Sequence, residues 1–249
     1  MRIEKISLLI RNPTAPANGG RLTRSSAFFE MSWQLISLDY RSPRSTCCRT
    51  EYGVFGSGFP PVVWQCDFAS KRKWTITGMV DVYFLIFIHI GSRRIWISPC
   101  TEHPTGDWTS QQARNFQMHI DDNGLKCEIL CRDNDAKFVD QFDAVNKSSG
   151  CQVKRIQPLS PNLQAHVERV IQTLKQEVLN AFCIVSNRHM DHILRTAMDW
   201  YNKRRGHSAR NHLPPVRDSD PTVLFAFPEG NIVCDSELGG QLRSYRRVA

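Results

Sequence analysis

Three carboxylates in this sequence have the residue types and placements that metal-assisted chemistry requires. Asp67 closes an apolar, strand-like run, Val62-Val63-Trp64-Gln65-Cys66-Asp67. Asp133 closes a second, Glu128-Ile129-Leu130-Cys131-Arg132-Asp133, and Glu168 falls inside an amphipathic helix pattern that follows Ser160-Pro161. Two aspartates at strand ends and a glutamate on a helix can converge on two divalent cations. Asp and Glu supply the hard oxygen donors that Mg2+ or Mn2+ prefer, whereas His or Cys suit softer metals. Paired cations serve phosphodiester hydrolysis or strand transfer, one activating the attacking hydroxyl or water and the other stabilising the leaving 3′ oxygen. Each residue taken singly has a plainer explanation, since Asp also caps and turns and a helix Glu is commonly solvated.

The helix around Glu168 adds a phosphate-facing pattern. Glu168, Gln172 and Lys175 are spaced at four and seven residues and so share one face, and Glu168, beside the buried stripe, is expected to face the sheet edge rather than open solvent. A lysine there can meet a phosphate backbone, a contact that positions nucleic acid without reading its sequence. Arg169, Arg188, Lys203, Arg204, Arg205 and Arg210 extend the basic character downstream, with Arg169, Gln172, Lys175, Lys203, Arg204 and Arg205 the candidate DNA contacts.

These residues need elements to hold them. Organised structure is expected from about Val62, after a segment 1–60 in which no hydrophobic period is sustained and only Ser26 to Tyr40 could form a short element. Met79 to Ile90 reads as a strand covered on both faces, turning at Gly91-Ser92 into Arg93 to Cys100 as a hairpin. Thr105 can cap a helix to about Asp121 whose Trp108, Gln112, Phe116 and Ile120 fall on one face. A short strand at Glu128 to Cys131, a helix at Phe138 to Ser148 and a strand at Val153 to Ile156 follow. Ser160 as N-cap and Pro161 as first helical residue open the clearest helix, with Leu163, Val167, Val170, Ile171, Leu174, Val178 and Ala181 at helical period. A second helix, about His189 to Arg204, buries Ile193, Ala197, Trp200 and Tyr201. The tail from Leu213 ends in a small hairpin turning at Gly239-Gly240. Strands giving way to helices in this order imply an α/β layer fold with a mixed sheet.

Composition bounds the reading. At 249 residues, 41% hydrophobic and 22% charged, the chain is long enough for one full domain with extensions and too apolar for a disordered one. The formal net charge of +8 favours an anionic partner. Nine cysteines form no CxxC pair, five of them (Cys66, Cys100, Cys127, Cys131, Cys151) in or beside expected strands, which reads as buried thiols in a reducing compartment rather than a zinc site. No secretory signal opens the sequence, and the apolar run Met79 to Ile90 contains Asp81 and His89 and is too short to span a bilayer. The expectation is a chain that spans no membrane, in a bacterial-type cytoplasm.

Four blocks, in order, resemble the integrase catalytic core of retroviral-type integrases and bacterial insertion-sequence transposases. Trp64-Gln65-Cys66-Asp67-Phe68 is similar to that family's first-aspartate strand, and Arg132-Asp133-Asn134-Asp135-Ala136-Lys137-Phe138 to its second-aspartate block. Ser160-Pro161-Asn162-Leu163-Gln164-Ala165-His166-Val167-Glu168-Arg169 corresponds to the glutamate block. Tyr201-Asn202-Lys203-Arg204-Arg205-Gly206-His207, with Leu213-Pro214-Pro215, resembles the closing motif of bacterial members. The chain has Asp135 where many members have Gly, Gln164-Ala165 where many have Asn-Gly, and one residue fewer than the commonest spacing between Asp133 and Glu168. Asp135 is an alternative ligand, with Asp133 preferred because it continues the strand directly.

The resemblance covers 61–215, leaving 1–60 as a poorly defined segment and 216–249 as a tail. It implies a ribonuclease H-like fold, a five-stranded mixed sheet flanked by helices. It further implies that Asp67, Asp133 and Glu168 bind two Mg2+ or Mn2+ ions, and that the protein cleaves and joins double-stranded DNA at element ends and target as a homo-oligomer. A decayed relic that only binds DNA or oligomerises, and a ribonuclease H-like nuclease, are the alternatives.

Overall fold

A computed structural model describes residues 62–156, 164–210, 212–216 and 230–248. The expectations for 1–60, the Ser160 cap, Pro161 and Leu163 lie outside these residues. The central element is a five-stranded sheet built from β1 (Val63–Thr75), β2 (Gly78–His89), β3 (Ile95–Ile97), β4 (Ile129–Arg132) and β5 (Gln152–Arg155), in spatial order β3-β2-β1-β4-β5. β1, β2 and β3 pair antiparallel, and β1, β4 and β5 pair parallel. This is the mixed sheet of a ribonuclease H-like fold. The parallel half needs crossovers, and helices α1 (Gly106–Asp122) and α2 (Asp140–Ser148) supply them. Helices α3 (Ala165–Glu177) and α4 (Asn187–Lys203) follow the last strand.

Side chains alternate across a strand, so β1 and β2 feed two cores. On one face Trp64, Cys66, Leu85 and Phe87 pack with Phe116 of α1 and Phe142 of α2. Phe87 and Phe116 stack with ring centroids 4.1 Å apart. On the other face Ala69, Phe84, Ile86 and Ile88 meet Val167, Val170 and Leu174 of α3 and Ile193, Leu194 and Ala197 of α4. The result is three layers, helices on both faces of one sheet.

Helix boundaries follow local chemistry. The Thr105 side chain accepts a hydrogen bond from Trp108 N and opens α1, and Ser186 does the same from His189 N for α4. α3 starts at Ala165, behind Gln164, which makes no side-chain cap bond, and it ends at Glu177 before a separate 3-10 turn at Leu179–Ala181. The tail forms a hairpin of β6 (Asn231–Glu237) and β7 (Leu242–Val248), turning through Leu238–Gly240. Leu242 is buried in the core with α3 and α4, and Gln241 Nε2 donates to Glu177 O at 2.9 Å.

Two strand expectations need correction. β1 does not stop at Asp67 but runs on to Thr75, paired with β2 along its whole length through a two-residue turn at Ile76-Thr77. The Lys71-Arg72-Lys73 stretch interrupts the apolar pattern, yet the backbone continues as a ribbon. Lys73 is anchored there by Glu102 and by Asn187 Oδ1, the latter at 3.0 Å. β2 in turn is covered on both faces only over Phe84–Ile88; its first half is open, with Met79 half exposed. Among the described residues, no helix is long and apolar enough to cross a membrane.

Candidate active site

The parallel ladder between β1 and β4 pairs Cys66 with Arg132 and stops there. Asp67 and Asp133 are the next residue on each strand. The alternation that sends Trp64, Cys66 and Leu130 toward α1 and α2 sends Asp67 to the opposite face, the one covered by α3. The strand-end logic therefore holds for the parallel pairing, even though β1 itself continues.

Gln65 ties that face to the glutamate helix. Its buried side chain accepts a hydrogen bond through Oε1 from Val167 N at 3.1 Å, within the first turn of α3. A first-turn N–H lacks an intrahelical partner, so a glutamine two residues before Asp67 serves as a cap donated by the sheet. A lone amide inside the run Val62–Cys66 was the one sequence signal for this role.

The electrostatics mark the aspartates. Burial, then the nearby Asp133 charge, push the Asp67 carboxyl up to about 7; Glu168 and Asp135 push the same way, while Phe68 N donating to Oδ1 at 2.7 Å opposes them. Burial also raises Asp133, against a backbone hydrogen bond from Asp135. Its Oδ1 is buried with no hydrogen-bond partner. An orphaned carboxylate oxygen beside a second carboxylate with a raised pKa is a poor arrangement for metal-free protein and a good one for a hard cation.

Arg132, which could have neutralised Asp133, is committed elsewhere. It is 1% exposed, donates through Nε and Nη2 to the two oxygens of Asp143 at 2.8 and 2.9 Å, and bonds the backbone oxygen of Asp133 through Nη1 at 2.9 Å. Arg155 joins the same Asp143 at 2.8 Å. Sequence reasoning missed this network, because Asp143 reads as a surface residue of α2. It braces the end of β4 from the far face of the sheet.

Asp135 is used locally. Burial works to raise its pKa, but Lys137 donates through its backbone N to Oδ1 and through Nζ to Oδ2, at 2.9 and 2.7 Å, and holds the carboxyl below its ordinary range.

Glu168 lies in the first turn of α3, close enough for its charge to register at Asp67. Its side chain is exposed, which corrects the expectation that it turns away from open solvent. Among the described residues no three His, Cys, Asp or Glu side chains are grouped closely enough to hold a metal ion, Asp67, Asp133 and Glu168 included.

The basic candidates divide. Lys175 is half-buried and Gln172 exposed on the Glu168 face, with Gln172 accepting from Arg169 Nη1 at 3.2 Å. Lys203 pairs with Asp199 at 3.1 Å, Arg204 with Glu237 of the tail hairpin at 3.3 Å, and Arg205 bidentately with Glu177 at 2.6 and 2.9 Å. The last three thus carry intramolecular ion pairs. Asn202, just before them in the Tyr201–His207 stretch, bridges to β3: Oδ1 accepts from Ile95 N and Nδ2 donates to Ile95 O, both at 2.8 Å.

Residues 149–215, which hold α3, Glu168 and the Tyr201–His207 stretch, match the family described as integrase core domain. Among solved structures, the magnesium complex of the HTLV-2 integrase catalytic core domain (trimeric form) is 16% identical and covers 63% of this chain and 94% of its own, with a TM-score of 0.47. The simian T-cell lymphotropic virus intasome in complex with PP2A regulatory subunit B56 gamma is 16% identical, covering 75% and 67%, with a TM-score of 0.49. The BIV integrase catalytic core domain is 20% identical, covering 61% and 90%, with a TM-score of 0.45. No curated protein matches the chain.

Proposed function

We propose that this chain, whose residues 149–215 match the integrase core domain, is a DDE-type transposase or integrase in which Asp67, Asp133 and Glu168 hold two Mg2+ or Mn2+ ions. The observation that carries this reading is the placement of Asp67 and Asp133 one residue beyond the shared end of the β1–β4 ladder, with Asp133 Oδ1 orphaned and Asp67 pushed up to about 7. The donor set is all oxygen, as hard divalent cations require. Bound there, the ions would activate a water or a 3′ hydroxyl and stabilise the leaving 3′ oxygen.

The chain's own residues do the rest. Asp67 and Asp133 offer donors from a sheet whose position is fixed by both cores. Glu168 offers the third from α3, whose first turn Gln65 fastens to β1. The Arg132–Asp143 pair supports the end of β4 without neutralising Asp133. Lys175 and Gln172, on the Glu168 face, are placed to hold the DNA backbone. Asp133 is the preferred second aspartate, because both oxygens of Asp135 already bond Lys137.

A second reading, a relic that binds DNA without cutting it, draws on the exposed Glu168 side chain and on the lack, among the described residues, of three side chains grouped to hold a metal ion. The deciding experiment compares wild type with Asp67→Asn on duplex DNA in Mg2+, scoring both strand cleavage and joining to a target. The expected outcome is cleavage and joining by wild type and neither by Asp67→Asn. Cleavage without joining points to a nuclease. Equal activity in the two proteins removes Asp67 from the site.

A further inference from the structure

The face of α3 that carries His166, Arg169 and Thr173 is distinct from the one that carries Glu168, Gln172 and Lys175. It closes one wall of a pocket of about 220 Å³, to which Arg93, Arg205 and His207 also contribute. Three arginines therefore line one small space from three places: the turn between β2 and β3, the helix α3, and the segment just after α4.

Glu177 offsets Arg205, Arg169 donates through Nη1 to Gln172 Oε1, and Arg93 donates through Nη1 to Nδ1 of the His166 ring. His207 is 91% buried yet its Nε2 has no hydrogen-bond partner. Burial first, and then the fields of Arg205, Arg93 and Arg210, bring its pKa down to about 4, so the ring is an uncharged group among cations. Arg93 itself sits at φ 64, in the left-handed region that glycine occupies without penalty. A strained arginine in a tight turn, an orphaned ring nitrogen and converging guanidinium groups together describe an anion cradle.

We propose that this pocket is a phosphate site, accepting one phosphate group of a nucleic-acid strand or free phosphate. The shape argues for phosphate over carboxylate: a tetrahedral group presents oxygens in three directions, matching donors from three places, whereas a planar carboxylate satisfies one guanidinium fork. Free phosphate or a terminal phosphate, which retains a proton on part of its population near neutral pH, can also donate to His207 Nε2, whereas an internal phosphodiester cannot. The volume lies below the about 300–1,000 Å³ typical of drug-sized ligands, so one phosphate group fits better than a nucleotide. The site needs no metal and does not depend on the role given to Asp67, Asp133 and Glu168.

The test uses the full chain without divalent ions, at constant ionic strength, with inorganic phosphate as the probe and chloride as the control. Phosphate should raise the melting temperature saturably and chloride should not. Arg93→Gly relieves the backbone strain while removing the guanidinium, so it should fold at least as stably and bind phosphate at least tenfold more weakly. Arg169→Gln, on a helix surface, should weaken binding similarly and decides the matter if Arg93→Gly fails to fold. Competition by a 5′-phosphorylated oligonucleotide but not its 5′-hydroxyl form assigns a terminal phosphate, competition by both a backbone phosphate, and by neither free phosphate. A phosphate effect no larger than that of chloride, or undiminished affinity in the variants, overturns the proposal.

Discussion

Asp67 carries a stability cost that its proposed role explains. Its carboxyl is pushed up to about 7 in the folded protein, from an ordinary value of 3.8. Below pH 4 both folded and unfolded chains hold the proton and no penalty arises. Between pH 4 and 7 the unfolded chain releases it while the fold retains it, so stability falls as pH rises, by at most about 1.4 kcal/mol per pH unit. Asp67→Asn removes the titrating group. Denaturant titrations without divalent ions should therefore show the variant gaining on wild type from pH 4 to 7 and holding its lead above. Mg2+ at pH 7.5 should then stabilise wild type and leave Asp67→Asn unchanged. Parallel pH profiles for the two proteins would mean that Asp67 is not strained by its neighbours. That strain was unreadable in the sequence, where Asp67 ends an apolar run. What raises its pKa is burial first and then Asp133, a residue distant in the chain and brought near by β1–β4 pairing.

Among the elements, α4 does more than cover the sheet. Asn202 is buried and makes two hydrogen bonds to the backbone of Ile95, 107 positions away in sequence. Asn202→Leu keeps the volume but leaves a buried N–H and C=O unpaired, each costing about 1–3 kcal/mol. The expected result is a loss of about 2–4 kcal/mol in denaturant titration, with the helical circular dichroism of the native state retained. A change below 0.5 kcal/mol would show that water replaces the amide. The helices were legible because their apolar residues recur at the helical period; α1, α2 and α4 fall within two residues of their expected ends. The second half of β1 was not, since Lys71-Arg72-Lys73 gives no alternation and the ribbon is held by pairing with β2. The asparagine clasp left no local pattern either. Long-range side-chain bonds to backbone have no period.

At the scale of the whole molecule, the net charge of +8 favours an anionic partner, and under the proposed function duplex affinity should weaken steeply with salt. The structure separates cations that can contribute from those already engaged. Lys175→Gln should flatten the log–log salt dependence of duplex affinity by about 0.9. Lys203→Gln, whose charge is already paired with Asp199, should leave the slope nearly unchanged. Equal slopes for wild type and Lys175→Gln would remove Lys175 from the DNA-facing surface. Charge totals were legible in the sequence, as was the i,i+4 pair of Asp199 with Lys203; the other internal pairs were not, because Glu177 and Glu237 reach their partners only in the fold. The Asn202 clasp has one further effect. With Ile95 N and O bonded to Asn202 and Ile97 N directed to Met198 Sδ at 3.3 Å, three outward backbone groups of β3 are taken. An added strand would find few donors or acceptors left there. Growth of the five-stranded sheet from copy to copy along that margin is thereby disfavoured.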